Sequence, residues 1–431
     1  MKVFRSLRQT PARATSTASA CTFLACAVFT CAVVTYTAFA GHGRTTEGSS
    51  LQNGGLQNDP QLEATFTRTV IPVGHRPGPL AIADVNHDGH PDIIVANMDD
   101  RTVTVLLGDG NGNFTPSPGS PFACGENPND IAIGDMNGDG NPDLIIANTQ
   151  TPYITILLGD GKGGFAPAPH SPFATASRPH VHGVAVGDFM GDGKLSVVTD
   201  SWGNDSIILL PGDGHGSLLT PGKSFDADIH SDQGVRAADF NGDGKLDIVM
   251  TNQAKGAVGL MLGDGKGGFT RAPHSPFPAV QVAFAFTVGD VDGDGIPDVA
   301  MMPYDRDLTD PSQLGVVILL GDGKAGFTKM RGSPFSLEGC AGPDRVAIGD
   351  VTGDGVPDFV VSCAQNARMM VFEGSRNGTF KRATIPVKTG WSGLAIGDVR
   401  GDGKKEIVIS NGELDEAPKG QRGTITIFSR K

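Results

Sequence analysis

Residues 239–250 read DFNGDGKLDIVM: acidic or amide side chains at alternate positions, two glycines, then an apolar run. The same phrase recurs as DVNHDGHPD (84–92), DMNGDGNPD (135–143), DFMGDGKLS (188–196), DVDGDGIPD (290–298), DVTGDGVPD (350–358) and DVRGDGKKE (398–406). The seven first aspartates lie 51, 53, 51, 51, 60 and 48 residues apart. A period near fifty marks stacked or radial supersecondary units, so most of the chain is expected to be one repeat domain.

Each repeat reads as four strands. In the first copy Leu80 to Asp84, Ile93 to Ala96 and Thr102 to Leu107 are apolar runs of strand length. A Gly-Asp-Gly turn at 108–110 then leads to Phe114-Thr115, which opens a proline-limited strand suited to an edge. The turn recurs as LLGDGNGNF (106–114), LLGDGKGGF (157–165), MLGDGKGGF (261–269) and LLGDGKAGF (319–327), with weaker forms LLPGDGHGSL (209–218) and VFEGSRNGTF (371–380). Several copies satisfy G-x-G-x-x-G, as Gly159, Gly161 and Gly164 do, but a dinucleotide site needs a helix next and here a strand follows. These are hairpin turns.

Four antiparallel strands per fifty residues predict an all-β fold, a seven-bladed β-propeller of four-stranded antiparallel blades. The residue before each first aspartate is tiny (Ala83, Gly134, Gly187, Ala238, Gly289, Gly349, Gly397), as suits the strand nearest a crowded axis. Arg236 and Thr287 interrupt an alanine that other copies place three residues before the aspartate, and both are expected to line the channel. The last copy runs out of chain before its fourth strand. TFTRTVIPVGHRPGPLAIADV (65–85) aligns with TFKRATIPVKTGWSGLAIGDV (379–399), so the N-terminal Phe66-Thr67-Arg68 segment is expected to complete the last blade. That arrangement removes two sheet edges.

Composition agrees, with 61 glycines, 29 prolines and 19% charged residues pointing to short strands and tight turns. Residues 1–40 stand apart: Lys2, Arg5, Arg8 and Arg13, no acidic residue, then an apolar stretch from Cys21 to Ala40. This is a signal peptide, or a signal anchor if uncleaved. Residues 41–61 form a flexible linker and 62–431 the propeller. Without the four leader cations the net charge moves from −13 to −17, which disfavours nucleic acid as a partner. Cys124, Cys340 and Cys363 then lie in an oxidising compartment, secreted or extracytoplasmic, and a bridge between Cys340 and Cys363 would span the base of one hairpin.

With the D-x-[DN]-x-D-G-x-x-D loops and the G-[DN]-G-x-G-x-F turns in register, residues 62–431 resemble FG-GAP/VCBS repeat proteins, whose relatives include the N-terminal propellers of integrin α chains. The resemblance implies the propeller fold and says little about a ligand.

The loops also have a chemistry of their own. A hard divalent cation takes six to eight oxygens, and a short loop supplies them from alternate residues around a glycine turn. Copy one offers Asp84, Asn86, Asp88, the carbonyl of His90, and Asp92; copy two offers Asp135, Asn137, Asp139, Asn141 and Asp143. Copy four offers Asp239, Asn241, Asp243, Lys245 (carbonyl) and Asp247, and copy five Asp290, Asp292, Asp294, Ile296 (carbonyl) and Asp298. These four are expected to bind Ca2+ strongly. Copy six, with Asp350, Thr352, Asp354, Val356 (carbonyl) and Asp358, should bind more weakly. Copy seven keeps Asp398, Asp402 and Glu406 but has Arg400 at the third position, whose charge is expected to stand in partly for the metal. Copy three keeps Asp188 and Asp192 but has Met190 and Ser196, and is expected to be empty or nearly so. An EF-hand would carry glutamate at position 12 between helices; here that position in copy one is Val95, inside a strand.

Antiparallel blades put the loops and the Gly-Asp-Gly turns on one face. The other face receives the connectors between blades, several with a Ser-Pro-Phe core (Phe122, Phe173, Phe277, Phe335, and the variant Ser224-Phe225), and two expanded loops, Tyr304 to Leu314 and Glu413 to Arg422. Arg178, His180, His182, Trp202, His230, Tyr304, Arg345 and Trp391 map there and are the candidates for contacting a protein or carbohydrate ligand. A His-x-His chelate at His180 and His182 lacks an evident third ligand. No G-x-S-x-G, H-E-x-x-H or supported Cys-His pair is present. The expected function is therefore an extracytoplasmic calcium-binding adhesion or ligand-binding module rather than an enzyme, the alternative being a secreted carbohydrate-active enzyme resembling polysaccharide lyases. Membrane association is expected only if the leader is uncleaved.

Overall fold

A computed structural model describes residues 65–176, 180–201, 205–228, 234–304, 310–387, 393–412 and 422–431. The leader 1–40 and the linker 41–61 lie outside the described residues, as do Arg178, Trp202, His230, Trp391, residues 305–309 of the first expanded loop and 413–421 of the second. Among the described residues no helix is long and apolar enough to cross a membrane.

The described chain builds seven sheets, each a run of four antiparallel strands, as a β-propeller. The first blade is Pro77–Ala83, Asp92–Asn97, Thr102–Gly108 and Phe114–Pro116, counted from the axis outward. Its second strand is buried at every position, and the equivalent strands of the other blades are too. Both faces of these strands are covered by neighbouring blades, which is why they read as continuous apolar runs instead of alternating ones. The outer strands Phe114–Pro116, Phe165–Pro167, Phe269–Arg271 and Phe327–Lys329 are three residues long and mostly exposed, a length and proline content that blunt a sheet edge.

The apolar side chains condense between blades. Ile94, Val103, Leu144 and Ile146 fill the interface of blades one and two. Val73, Ile93, Val408 and Ile425 fill that of blades seven and one, and a cluster lies at each of the other five junctions. Each such aliphatic side chain contributes about 1.5–3 kcal/mol relative to exposure, so the ring is held by its interfaces. The first strands follow one another around the axis, Pro77–Ala83 beside Pro128–Gly134 and Leu394–Gly397 again beside Pro77–Ala83; between blades four and five Asp247–Asn252 packs on Ala283–Gly289. Where blades three and four meet at the axis, a Cβ on Gly183 would lie 2.4 Å from the Cα of Gly234, so only glycine permits the approach. The seventh sheet, with Leu394–Gly397, Glu406–Asn411 and Thr424–Arg430, takes its outermost strand from Phe66–Pro72; Phe66 stands opposite Arg430 and Pro72 opposite Thr424.

Two features depart from the reading of the sequence as loops and turns. The Ser-Pro-Phe connectors are parts of the blades. Phe122–Ala123, Phe173–Ala174, Phe277–Pro278 and Phe335–Ser336 each return to pair with the third strand of their own blade. The preceding serines accept hydrogen bonds from that strand, Ser120 Oγ from Val105 N at 3.0 Å and Ser275 Oγ from Leu260 N at 3.0 Å. The phenylalanines pack edge-on against other rings, Phe122 on Phe165 at 5.5 Å and Phe335 on Phe380 at 4.9 Å, and so serve packing rather than a ligand. The second departure is a set of buried asparagines ending the second strands. Asn148, for one, donates to the Cys124 carbonyl at 3.0 Å and accepts from Thr155 Oγ1 at 2.7 Å. Cys340 and Cys363 are disulfide-bonded, and Cys124 is buried and unbridged, its thiol pushed up to about 12 by burial.

Candidate functional site

All seven aspartate loops share one skeleton. The first aspartate accepts from the N–H of the glycine five residues on, as Asp84 Oδ2 does from Gly89 at 2.9 Å and Asp239 Oδ2 from Gly244 at 2.8 Å. That glycine has positive φ, 84° at Gly89, a conformation that side chains resist. The fifth-position carboxylate accepts from the residue two further on, as Asp88 Oδ1 does from His90 N at 2.8 Å. Copy three keeps these bonds, Asp188 Oδ2 from Gly193 N at 2.9 Å and Asp192 Oδ1 from Lys194 N at 3.1 Å. The backbone thus folds identically with or without a full ligand set, and side-chain chemistry alone separates the copies.

The ninth-position residue does more than the sequence suggests. Asp247 is buried, and its Oδ2 accepts from Phe240 N at 3.0 Å while its Oδ1 accepts from Gly263 N at 2.9 Å, fastening the loop to the end of the third strand. Asp92, Asp143, Asp298 and Asp358 make the equivalent pairs. Each oxygen of an ionised carboxylate keeps a further lone pair, so this fastening leaves room for a cation. Without one, burial pushes Asp143, Asp247, Asp298 and Asp358 up to about 6 and Glu406 up to about 7, against the backbone donors. Asp92 is raised for the same reason.

The donor set fits a hard cation: oxygens only, around a tight glycine turn. Asp290, Asp292 and Asp294 converge so that one oxygen of each lies within 4.8 Å of the others, the one such group among the described residues. Burial and the neighbouring charges of Asp294 and Asp290 raise Asp292. Three copies carry internal cations: Lys194 in copy three, Lys245 in copy four, and Arg400, Lys404 and Lys405 in copy seven. Lys245 Nζ sits 3.2 Å from Asp243 Oδ2 in loop four, a competitor that ligand counting overlooks. The Arg400 side chain lies along Gly112 of the first blade and makes no ion pair within its own loop among the described residues; its charge opposes, without overcoming, the rise that burial imposes on Glu406.

Loops and turns also lock neighbouring blades. The turn of one blade donates to the second loop residue of the blade before it, Gly216 N to Met136 O at 3.0 Å, Gly267 N to Phe189 O at 2.9 Å and Ala325 N to Phe240 O at 3.1 Å. His87 Nε2 lies 3.1 Å from Asn141 Oδ1 of the next loop.

At the opposite end of the axis the first strands begin, and there a cavity open to solvent draws its walls from every blade. Pro79, Leu80, Ala285, Phe286, Gly393 and Leu394 supply apolar surface; Asn129, Asp130, His182, Arg236 and Arg345 supply polar groups. Arg236 Nη1 reaches across blade three to Asp130 Oδ2 at 2.9 Å and lies over the Phe286 ring at 5.8 Å. His182 faces the buried Asp200, Nδ1 to Oδ2 at 3.3 Å, and stacks on His180 with centroids 5.5 Å apart. Of the sequence-derived candidates, His182 and Arg345 line this mouth, His180 backs it, and Arg236 enters it as expected of a channel residue. Thr287 is not among the lining residues. Tyr304 packs on Phe284 at 4.9 Å at the edge of the core. Asn129, Asp130 and Asp200 are additions that the sequence did not single out.

A model of the FG-GAP-like repeat matches residues 84–146, 135–199, 195–250, 239–301 and 350–409, more than half of the chain. The chain belongs to the FG-GAP-like repeat family. Its propeller resembles those of integrin α chains. Cartilage acidic protein 1 from Mus musculus is 28% identical over 131 residues, 29% of this chain and 19% of that protein; the Homo sapiens protein matches to the same extent. The chain therefore spans about a fifth of the length of these curated relatives. Among solved structures, BBS1N in complex with ARL6DN aligns with a TM-score of 0.57 at 12% identity, covering 85% of this chain and 97% of that one. Virginiamycin B lyase from Staphylococcus aureus aligns at 0.53 and 11% identity, covering 85% and 100%. At such identities the likeness is one of fold.

Proposed function

We propose that this FG-GAP-like propeller is an extracytoplasmic, calcium-stabilised binding module that takes a protein or carbohydrate ligand on the face opposite its aspartate loops. The observation that carries the reading is the axial mouth, where charged and polar side chains gather in a cavity that all seven blades line. The loops at the other end act as fastenings. Asp84, Asn86, Asp88 and Asp92, with their equivalents in copies two, four and five, would hold Ca2+ through side-chain oxygens and the position-seven carbonyl. The ion would offset the repulsion among the carboxylates and stiffen the loops onto which the neighbouring blades latch. The disulfide Cys340–Cys363 supports an oxidising compartment, as the leader does.

A second reading, a carbohydrate-active enzyme on the same scaffold, draws support from the His182–Asp200 pair at the wall of the mouth, an imidazole oriented by a buried carboxylate. Glycan and protein arrays probed with residues 41–431, with and without calcium, test the binding reading against turnover of polysaccharides. Specific retention without turnover is the expected result. Turnover abolished by His182→Ala would replace the binding reading with the enzymatic one, and blank arrays would overturn the binding reading.

A further inference from the structure

The axis-facing position five residues before each first aspartate is Pro79, Gly183, Gly234, Ala285 or Gly393 in five copies, but Asp130 in copy two and Arg345 in copy six. Arg236 replaces an alanine two positions further on. Charges have thus been placed on three alternate blades where the fold asks only for small residues.

These charges are unequally matched. Asp130 is satisfied within the wall: Oδ1 accepts from Ile131 N at 3.1 Å, and Oδ2 accepts from Val184 N at 3.2 Å and Arg236 Nη1 at 2.9 Å. Arg236 Nη1 also donates to the Val235 carbonyl at 2.8 Å. The Arg345 guanidinium makes only long contacts, both through Nη1 and both to its chain neighbour, 3.4 Å to the Asp344 carbonyl and 3.7 Å to the Asp344 carboxylate. Its Nε and Nη2 carry no hydrogen bond among the described residues. A guanidinium with an open edge suits a planar carboxylate.

The surroundings narrow the ligand further. Asp130, Asp200 and Asp344 lie in or behind the same wall and outnumber the two arginines, so net charge does not draw an anion in; a single carboxylate is favoured by the open edge of Arg345 alone, and a phosphate dianion is disfavoured. Asn129 donates through Nδ2 to the His182 carbonyl at 2.9 Å and keeps its Oδ1 as an acceptor. With the His182 ring it offers polar partners to hydroxyl groups, beside the apolar Leu80, Phe286 and Leu394.

We propose that the axial mouth binds a hydroxylated carboxylate of the size of a hexuronate sugar, with Arg345 holding the carboxylate and Asn129, His182 and Arg236 meeting the hydroxyls. The assignment rests on the binding-module reading and names the ligand class of its site.

The test is calorimetric titration and saturation-transfer NMR on residues 41–431 in calcium. The probes are galacturonate and glucuronate as sugar acids, lactate as a small hydroxy acid, galactose as the neutral sugar, and galactose 1-phosphate as the dianion. A uronate should bind at least about tenfold more tightly than galactose or the phosphate. Arg345→Ala should weaken uronate binding by about tenfold or more, as loss of a hydrogen bond to a charged group implies, and Arg345→Lys by less. Lactate binding as tightly as the uronates would assign the site to small hydroxy acids and overturn the sugar assignment. Equal binding of galactose and galacturonate would overturn the proposal, as would unchanged affinity in a folded Arg345→Ala protein or no binding of any carboxylate. The comparison of probes on the unaltered protein decides the matter even if the variant fails to fold. An array ligand that survives Arg345→Ala and is not displaced by uronate would sink this assignment while leaving the binding module intact.

Discussion

Asp247→Ala and Asp243→Ala alter the same loop, four residues apart, yet should fail in different ways. Asp247 is buried and accepts from two buried N–H groups, Phe240 at 3.0 Å and Gly263 at 2.9 Å. Each N–H left without a partner costs about 1–3 kcal/mol. Some of that is recovered because the raised Asp247 carboxyl no longer has to be kept in the interior, so a net loss of about 1–4 kcal/mol is expected. Asp243 is exposed and holds Lys245 N at 3.0 Å and Lys245 Nζ at 3.2 Å, contacts that solvent screening leaves with little effect on stability. Urea unfolding of both variants beside the parent protein, in chelator and again in calcium, separates the two roles. In chelator Asp247→Ala should unfold at distinctly lower urea and Asp243→Ala close to the parent; in calcium both should fall below it. Coincident curves for the two variants in chelator would refute the structural role given to the ninth position.

Other outcomes follow from the same geometry. In chelator the raised carboxyls bind more protons folded than unfolded between their ordinary range near 4 and their folded values of about 6 to 7. Stability should therefore rise as pH is lowered from 7.5 through 5.5 and keep rising until the ordinary carboxylate range near 4, and saturating calcium should suppress the rise; a melting temperature that falls between pH 7.5 and 5.5 contradicts it. Reduction of Cys340–Cys363, which closes 23 residues, should cost about 3 kcal/mol in urea unfolding, and an unchanged midpoint would count against the bridge as a stabilising element. Calorimetric titration with calcium should find four or five sites, with Asp139→Ala removing one and Asp192→Ala removing none.

The repeat made the fold legible. Strands buried on both faces yield unbroken apolar runs, and the glycine turns recur in step with them, so seven blades could be counted before any contact was known. The Ser-Pro-Phe segments were misplaced because two-residue strands leave no periodic signal, and a serine that fills a backbone gap looks like any loop serine. The ninth aspartate was legible as a possible ligand but not as a fastening, since its donors, Phe240 and Gly263, come from separate elements that meet only in the folded blade. Asp130 could have been found: it is a charged residue at a position held by proline, glycine or alanine in most copies, as is Arg345. Asp200 carries a similar mark, an acid inside an apolar strand, where it accepts from Gly183 N at 2.8 Å.

The division of labour between the two ends of the ring is tested most directly by one array experiment on three proteins: the parent chain 41–431, Asp243→Ala and Arg345→Ala, all in saturating calcium at a temperature where each is folded. The ligand retained by the parent should be retained by Asp243→Ala and lost by Arg345→Ala. Loss with Asp243→Ala and full retention with Arg345→Ala would place recognition on the aspartate loops and contradict it.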